Sequence, residues 1–115
     1  MCRPLQALRG TLPGLLRRVN PDLVCYNAGV DIHKEDSLGK LALTNEGIRA
    51  RDLFVLSSCA DASVPVAAAI GGGYQEDHAA IVERHVLLHA AARELLPRLQ
   101  RSGRAANIRV IRPLQ

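Results

Sequence analysis

The chain has no tryptophan, one phenylalanine and two tyrosines among its 115 residues, so aromatic stacking cannot dominate its core. Its apolar content comes from Leu, Ala and Val instead. No apolar run approaches the roughly 18 residues that a membrane span needs, so no membrane association is expected. The opening stretch MCRPLQALRG lacks a continuous apolar segment followed by a small-residue cleavage site, so no secretory leader is expected. Cysteines are few and scattered: Cys2, Cys25 and Cys59 form no CxxC pair and are odd in number. A disulfide framework and a zinc knuckle are therefore not expected, and the default is a reducing compartment, cytoplasmic or nuclear. What remains is 48% apolar and 23% charged, a balance that fits one globular α/β domain and argues against disorder.

The net charge of +4 conceals an asymmetry. Residues 21–83 carry ten acids and four bases, whereas the two ends together carry eleven bases and one acid. Basic ends can attract nucleic acid, but these bases are nearly all arginine, spaced apart, without interleaved aromatics. The reading is arginine on the solvent faces of terminal helices, with no direct nucleic acid binding.

Two short apolar runs bounded by turn residues read as strands covered on both faces: DLVCY at 22–26 and VPVAAAI at 64–70. Three segments have helical spacing. Residues 5–19 place Leu5, Leu8, Leu12, Leu15 and Val19 on one stripe, with a kink or restart expected at Pro13. Residues 44–60 start at Thr44, a plausible N-cap, and align Ile48, Val55, Leu56 and Cys59. A third helix starts near residue 77 with Ile81, Leu88, Ala92, Leu95 and Leu99 in its stripe, and Pro97 is expected to interrupt it. NIRVI at 107–111 could form a further short strand. Cys25 and Cys59 read as small buried apolar residues.

This alternation predicts right-handed crossovers and parallel strands. Ligands of parallel sheets bind beyond the carboxyl ends of the strands. The segments NAGVDIHKEDSLG and GGGYQEDH both follow a strand end, so they should face one site. Asp31, a few residues past the first strand, has the chemistry to ligate a divalent metal, although a lone aspartate there is more often a turn former or helix cap. Tyr74 follows Gly71, Gly72 and Gly73. Those glycines would let the backbone approach a ligand and would permit positive φ. The phenol could donate to a developing oxyanion, or simply pack.

Taken together, PDLVCYNAGVDIHKEDSLGKLALTNEGIRARD and IGGGYQED resemble two motifs of the zinc-dependent histone deacetylases and their bacterial relatives, in that family's order and at its distance. The first motif of the family reads roughly PDLVxxxAGxDxHxxDxLGxLxLTxEGxxxRD. The wording AGVD-H, LALT and RD is closest to the class IV and acetoin-utilisation-like branch. The resemblance implies a partial three-layer α/β/α arginase/deacetylase-like fold with parallel strands. It implies that residues 1–103 correspond to a C-terminal portion of the deacetylase domain, with residues 104–115 as a tail. It also implies Zn2+ as cofactor, Asp31 as a metal ligand, Tyr74 as the catalytic residue polarising the acyl carbonyl, and Gly71, Gly72 and Gly73 as backbone of the substrate channel.

The implied reaction is hydrolysis of an acyl-lysine amide on a protein, or of a small acylated amine. The family's Asp-x-His ligand pair and His-His pair have no counterpart here, so the isolated chain is expected to be inactive. Asp31-Ile32-His33 is not that Asp-x-His pair, because the flanking AGV and DSLGKLALT align Asp31 with the family's final ligand. His33 is expected near the loop rim. His85 and His89, at i and i+4, lack the glutamate of HExxH and read as packing or solvent-facing residues, and His78 reads as a surface residue. The rival reading is a non-catalytic α/β module, or truncated isoform, that binds a partner or a second copy through an exposed sheet edge.

Overall fold

The first helix, α1 (Arg3–Val19), has proline in its first turn and ends at Asn20, whose backbone is left-handed (φ 47°, ψ 57°) and whose N–H donates to Leu16 O. Pro21 then blocks continuation, so the chain leaves as an extended strand. The computed structural model describes residues 2–101, and the side chains of 99–101 lie outside that description. The order is α1, β1 (Val24–Asn27), α2 (Asn45–Asp61), β2 (Val66–Ala69) and α3 (His78–Arg101). Both NIRVI and the 104–115 tail fall outside the described residues. No described helix is long and apolar enough to cross a membrane.

The two strands pair in parallel, in the register Val24–Val66 through Asn27–Ala69. Ladder bonds flank the pair, from Val24 N to Pro65 O (2.9 Å) and from Ala28 N to Ala69 O (2.8 Å). Each strand starts two residues later than its apolar run suggested. Pro65 has no N–H to give a ladder and contributes its carbonyl alone.

Helices α2 and α3 pack on one face of this sheet. Ala28, Leu56, Leu88, Ala91 and Leu95 form the main cluster, with Tyr26 and Val66 against it. A second cluster of Val30, Leu43 and Ile48 sits under the loop after β1. Helix α2 opens as expected: Thr44 Oγ1 accepts from Gly47 N at 3.1 Å. Its buried stripe is Ile48, Asp52, Val55, Leu56 and Cys59. Helix α1 lies against α2, with the Arg9 guanidinium 5.3 Å from the centre of the Phe54 ring.

Several expectations are corrected. Among the described residues the strands are covered on one face, and Cys25, Asn27 and Ala67–Ala69 are exposed. Cys25 is therefore a surface thiol, since among the described residues the packed helices cover the side of the sheet that carries Tyr26 and Val66. Within α1, Leu5 and Leu16 are buried while Leu15 and Val19 stay exposed, so the contact face is narrower than the stripe. Helix α1 runs through Pro13 without a restart, and α3 runs through Pro97 without the expected interruption. A proline's fixed φ is itself helical, and the lost bond is local. In α3 the packing of Leu88, Ala91 and Leu95 just before Pro97 holds the helix in place.

Candidate functional site

The loops that leave β1 and β2 emerge at the same edge of the sheet and are hydrogen-bonded to each other. Gly72 O accepts from Val30 N at 2.6 Å and from Asp31 N at 3.2 Å. Asn27 Oδ1 accepts from Gly29 N at 3.0 Å, closing the turn that leads into Asp31. These bonds bring the two motif segments together. A Cβ placed on Gly72 would stand 2.5 Å from Asp31 Oδ2 and 3.1 Å from Tyr74 Cε2. The Asp31 carboxylate and the Tyr74 ring thus flank one glycine. One on Gly73 would meet Val30 Cγ2 at 2.8 Å and Ile81 Cγ2 at 3.2 Å. None of the three glycines has a left-handed φ, so close backbone approach is what requires them here. Tyr74 is exposed and Asp31 half-buried, so both reach solvent.

The Tyr74 backbone is held from the first loop. Its N–H donates to Asp36 Oδ2 at 2.7 Å, and its carbonyl accepts from Ser37 N at 2.7 Å. Asp36 Oδ1 also takes Leu38 N at 2.9 Å and Gly39 N at 2.8 Å. Burial pushes the Asp36 carboxyl pKa up, but the N–H groups of Tyr74, Gly39 and Leu38, with Arg84 nearby, outweigh it and leave the net value below the ordinary range. Arg84 is only 3% exposed. It donates from Nη1 to Gln75 Oε1 at 2.6 Å and from Nη2 to Glu35 Oε2 at 2.8 Å.

His33 is buried, not at the loop rim. It is tucked in because its backbone bridges to Leu43, with Lys34 N donating to Leu43 O and Leu43 N to Ile32 O. Burial first, and then the Arg84 charge, lower its pKa. Nδ1 accepts from Glu35 N at 3.1 Å.

Behind the site, α2 braces the end of β1. Arg51 Nη1 donates to Gly29 O at 2.6 Å, Nη2 to Ala28 O at 3.3 Å and Nε to Asp52 Oδ1 at 2.9 Å. Tyr26 OH donates to the same Asp52 oxygen at 2.5 Å, and the guanidinium lies 5.7 Å from the Tyr26 ring centre. Burial above all raises the Tyr26 pKa, against the opposing Arg51 charge. Among the described residues, Asp52 Oδ2 and His85 Nδ1 are buried without a hydrogen-bond partner. His85 approaches the glycine turn, its Nε2 3.3 Å from where a Gly73 Cβ would stand. Burial, Arg51 and His89 lower its pKa. His78 and His89 are exposed.

As a metal centre the donor set is incomplete. Among the described residues no group of three His, Cys, Asp or Glu side chains comes together. Asp31 fits as a single oxygen ligand beside Tyr74, while a catalytic zinc takes three protein ligands. Among the described residues Asp31 is thus the one side chain placed as a candidate ligand beside Tyr74.

A family model described as the histone deacetylase domain matches residues 3–90. An uncharacterized protein of Picosynechococcus sp. is 54% identical over 91 residues, which is 79% of this chain and 30% of that protein. Histone deacetylase 2 of Arabidopsis thaliana is 35% identical over 78 residues, 68% of this chain and 20% of that protein. The chain thus spans less than a third of the length of either relative.

Proposed function

Since the chain belongs to the histone deacetylase family, we propose that it contributes the Asp31 and Tyr74 loops to a zinc-dependent deacetylase acting on acyl-lysine side chains or small acylated amines. The observation that carries this is the convergence of Asp31 Oδ2 and the Tyr74 ring on Gly72, at the edge where two parallel strands end. The deacetylase name of the Arabidopsis relative and the AGVD-H, LALT and RD wording, closest to the class IV and acetoin-utilisation-like branch, support the same reading.

In this reading Tyr74 donates its phenol proton in a hydrogen bond to the acyl oxygen as negative charge builds there. Asp31 offers one carboxylate oxygen to the metal, and the remaining ligands come from polypeptide outside this chain. Gly71, Gly72 and Gly73 keep the wall beside Tyr74 low enough for an extended acyl chain. The metal, when bound, would supply Lewis acidity.

Two variants separate the roles in a polypeptide that carries this segment within a full deacetylase domain. Tyr74→Phe should lower turnover about 10²–10³-fold, roughly 2.7–4 kcal/mol, with metal content unchanged. Asp31→Asn should lower bound zinc, measured by elemental analysis. Turnover of Tyr74→Phe at the parent rate would make the tyrosine a packing residue, and full zinc in Asp31→Asn would make the aspartate a turn former. The 115-residue chain alone should bind zinc weakly and release no acetate from acetyl-lysine peptides.

One observation favours a second reading, a non-catalytic module. The pair β1–β2 is a two-stranded sheet among the described residues, with Leu23 and Ile70 more than half exposed beside it. Such an edge can add a partner's strand or a second copy. Sedimentation of the chain as a monomer across the micromolar range would argue against self-association.

A further inference from the structure

Arg84 stands where α3 meets both site loops. Its side chain is 3% exposed, yet its two terminal nitrogens go to acceptors on different loops: Gln75, next to Tyr74, and Glu35, next to Asp36. Asp36 in turn accepts the Tyr74 N–H. The guanidinium therefore reaches Tyr74 through the neighbours of both partners in that bond. Glu35 is 58% exposed while Arg84 is buried, so the charge that compensates the arginine is supplied from the solvent side. A buried guanidinium left without acceptors is costly, so the fork has to be filled, and filling it draws the two loops together. The planar fork addresses two acceptors at fixed spacing, which a lysine ammonium does not reproduce.

Resting on the reading of Asp31 and Tyr74 as one site, we propose that Arg84 is its positioning residue, a buried clasp joining Gln75 to Glu35 and thereby setting the Tyr74 phenol relative to the Asp31 carboxylate. It touches neither substrate nor metal. It acts by keeping the Tyr74 backbone seated on Asp36 and Ser37.

The test is amide hydrogen exchange by NMR on the 115-residue chain, without metal or substrate. In Arg84→Met, the Tyr74 and Ser37 amides should lose protection by about tenfold or more, the loss expected when a charge-assisted tie is removed. Arg84→Lys should fall between Arg84→Met and the parent. The Leu56 and Leu88 amides in α2 and α3 should exchange as in the parent, which separates a clasp from a general support of the fold. Unchanged protection at Tyr74 and Ser37 in Arg84→Met overturns the proposal, and so does an equal loss at Leu56 and Leu88. If Arg84→Met loses its helical circular dichroism, Gln75→Ala decides, because it opens the clasp from the half-buried side. Tyr74 protection should then fall in Gln75→Ala, and parent-like protection overturns the proposal. Because exchange involves no catalysis, a clasp that passes this test alongside a Tyr74→Phe enzyme with parent turnover would sink the functional reading alone.

Discussion

Gly72→Ala probes the convergence of the two loops directly. The new methyl would lie 2.5 Å from Asp31 Oδ2, 2.8 Å from its Cγ and 3.1 Å from Tyr74 Cε2. Non-bonded carbons rest at about 3.5–4.0 Å, so one group must move. The Gly72 backbone has no left-handed φ, and the penalty is therefore steric. Overpacking costs about 1–3 kcal/mol. Asp31 is half-buried and its short side chain can swing toward solvent, which places the clash near the lower part of that range, about 1–2 kcal/mol. Replacing glycine also restricts the unfolded chain and returns about 0.4–1 kcal/mol. The net loss should lie between about 0 and 1.6 kcal/mol, the difference of those two ranges. In an Asp31→Ala background the two closest contacts vanish. Gly72→Ala should then be neutral or slightly stabilising, with a coupling of about 1–2 kcal/mol between the sites. Urea unfolding of the four proteins in the cycle measures it. Additivity within about 0.5 kcal/mol would refute the placement of the carboxylate against Gly72.

Three other outcomes are expected. Tyr26→Phe removes the donor to a buried carboxylate oxygen and should cost about 1.5–3 kcal/mol in urea unfolding; a loss under about 0.5 kcal/mol would mean that Arg51 alone satisfies Asp52. Thr44→Ala deletes the side-chain bond to Gly47 N and should cost about 1 kcal/mol, with an unchanged denaturation midpoint as the contrary result. The folded pKa of Asp36 lies below its ordinary 3.8, so its stabilising contribution is complete above 3.8 and is lost as pH falls through the lower folded value. The Tyr74 amide shift should follow that titration, and a midpoint at or above 3.8 would contradict the hydrogen-bond account.

The alternation of elements was legible because each apolar run ended in strong punctuation: Asn20-Pro21 before β1, Thr44 before α2, three glycines after β2. Exposure of the sheet was not legible, because an Ala-rich run such as VAAA looks the same whether or not another layer covers it. The site was legible only in part. Asp31 and Tyr74 stand out by their place after strand ends, whereas Asp36, Arg51 and Asp52 enter only as letters of the motif with no role attached, and Arg84 reads as one of the solvent-facing terminal arginines. Two of these carried a signal that went unused. Arg84 lies between Ile81 and Leu88 in the 81, 84, 88, 91, 95 progression of α3, and Asp52 lies between Ile48 and Val55 in α2. A charge in register with an apolar stripe is a buried charge, and a buried charge needs a partner elsewhere in the chain. Cys25 misled for the opposite reason, since an apolar neighbourhood in sequence says nothing of which face of a short strand is covered.

The charge asymmetry also has an internal explanation in part. Arg84 comes from the basic C-terminal part of the chain and pairs with Glu35 of the acidic middle. Glu94, the single acid of the two basic ends, pairs with Arg49 of that middle. Each pair therefore ties α3 to a segment of opposite net charge. The Arg49–Glu94 pair is exposed on both sides and should contribute little, whereas Arg84 is enclosed and must be neutralised where it stands. An arginine consumed in this way is not offered to a phosphate backbone. Of the two pairs, Arg84–Glu35 sets the charge of the basic end against that of the acidic middle where α3 meets the loop after β1, and the arginine that matters most to the site is the one removed from the surface.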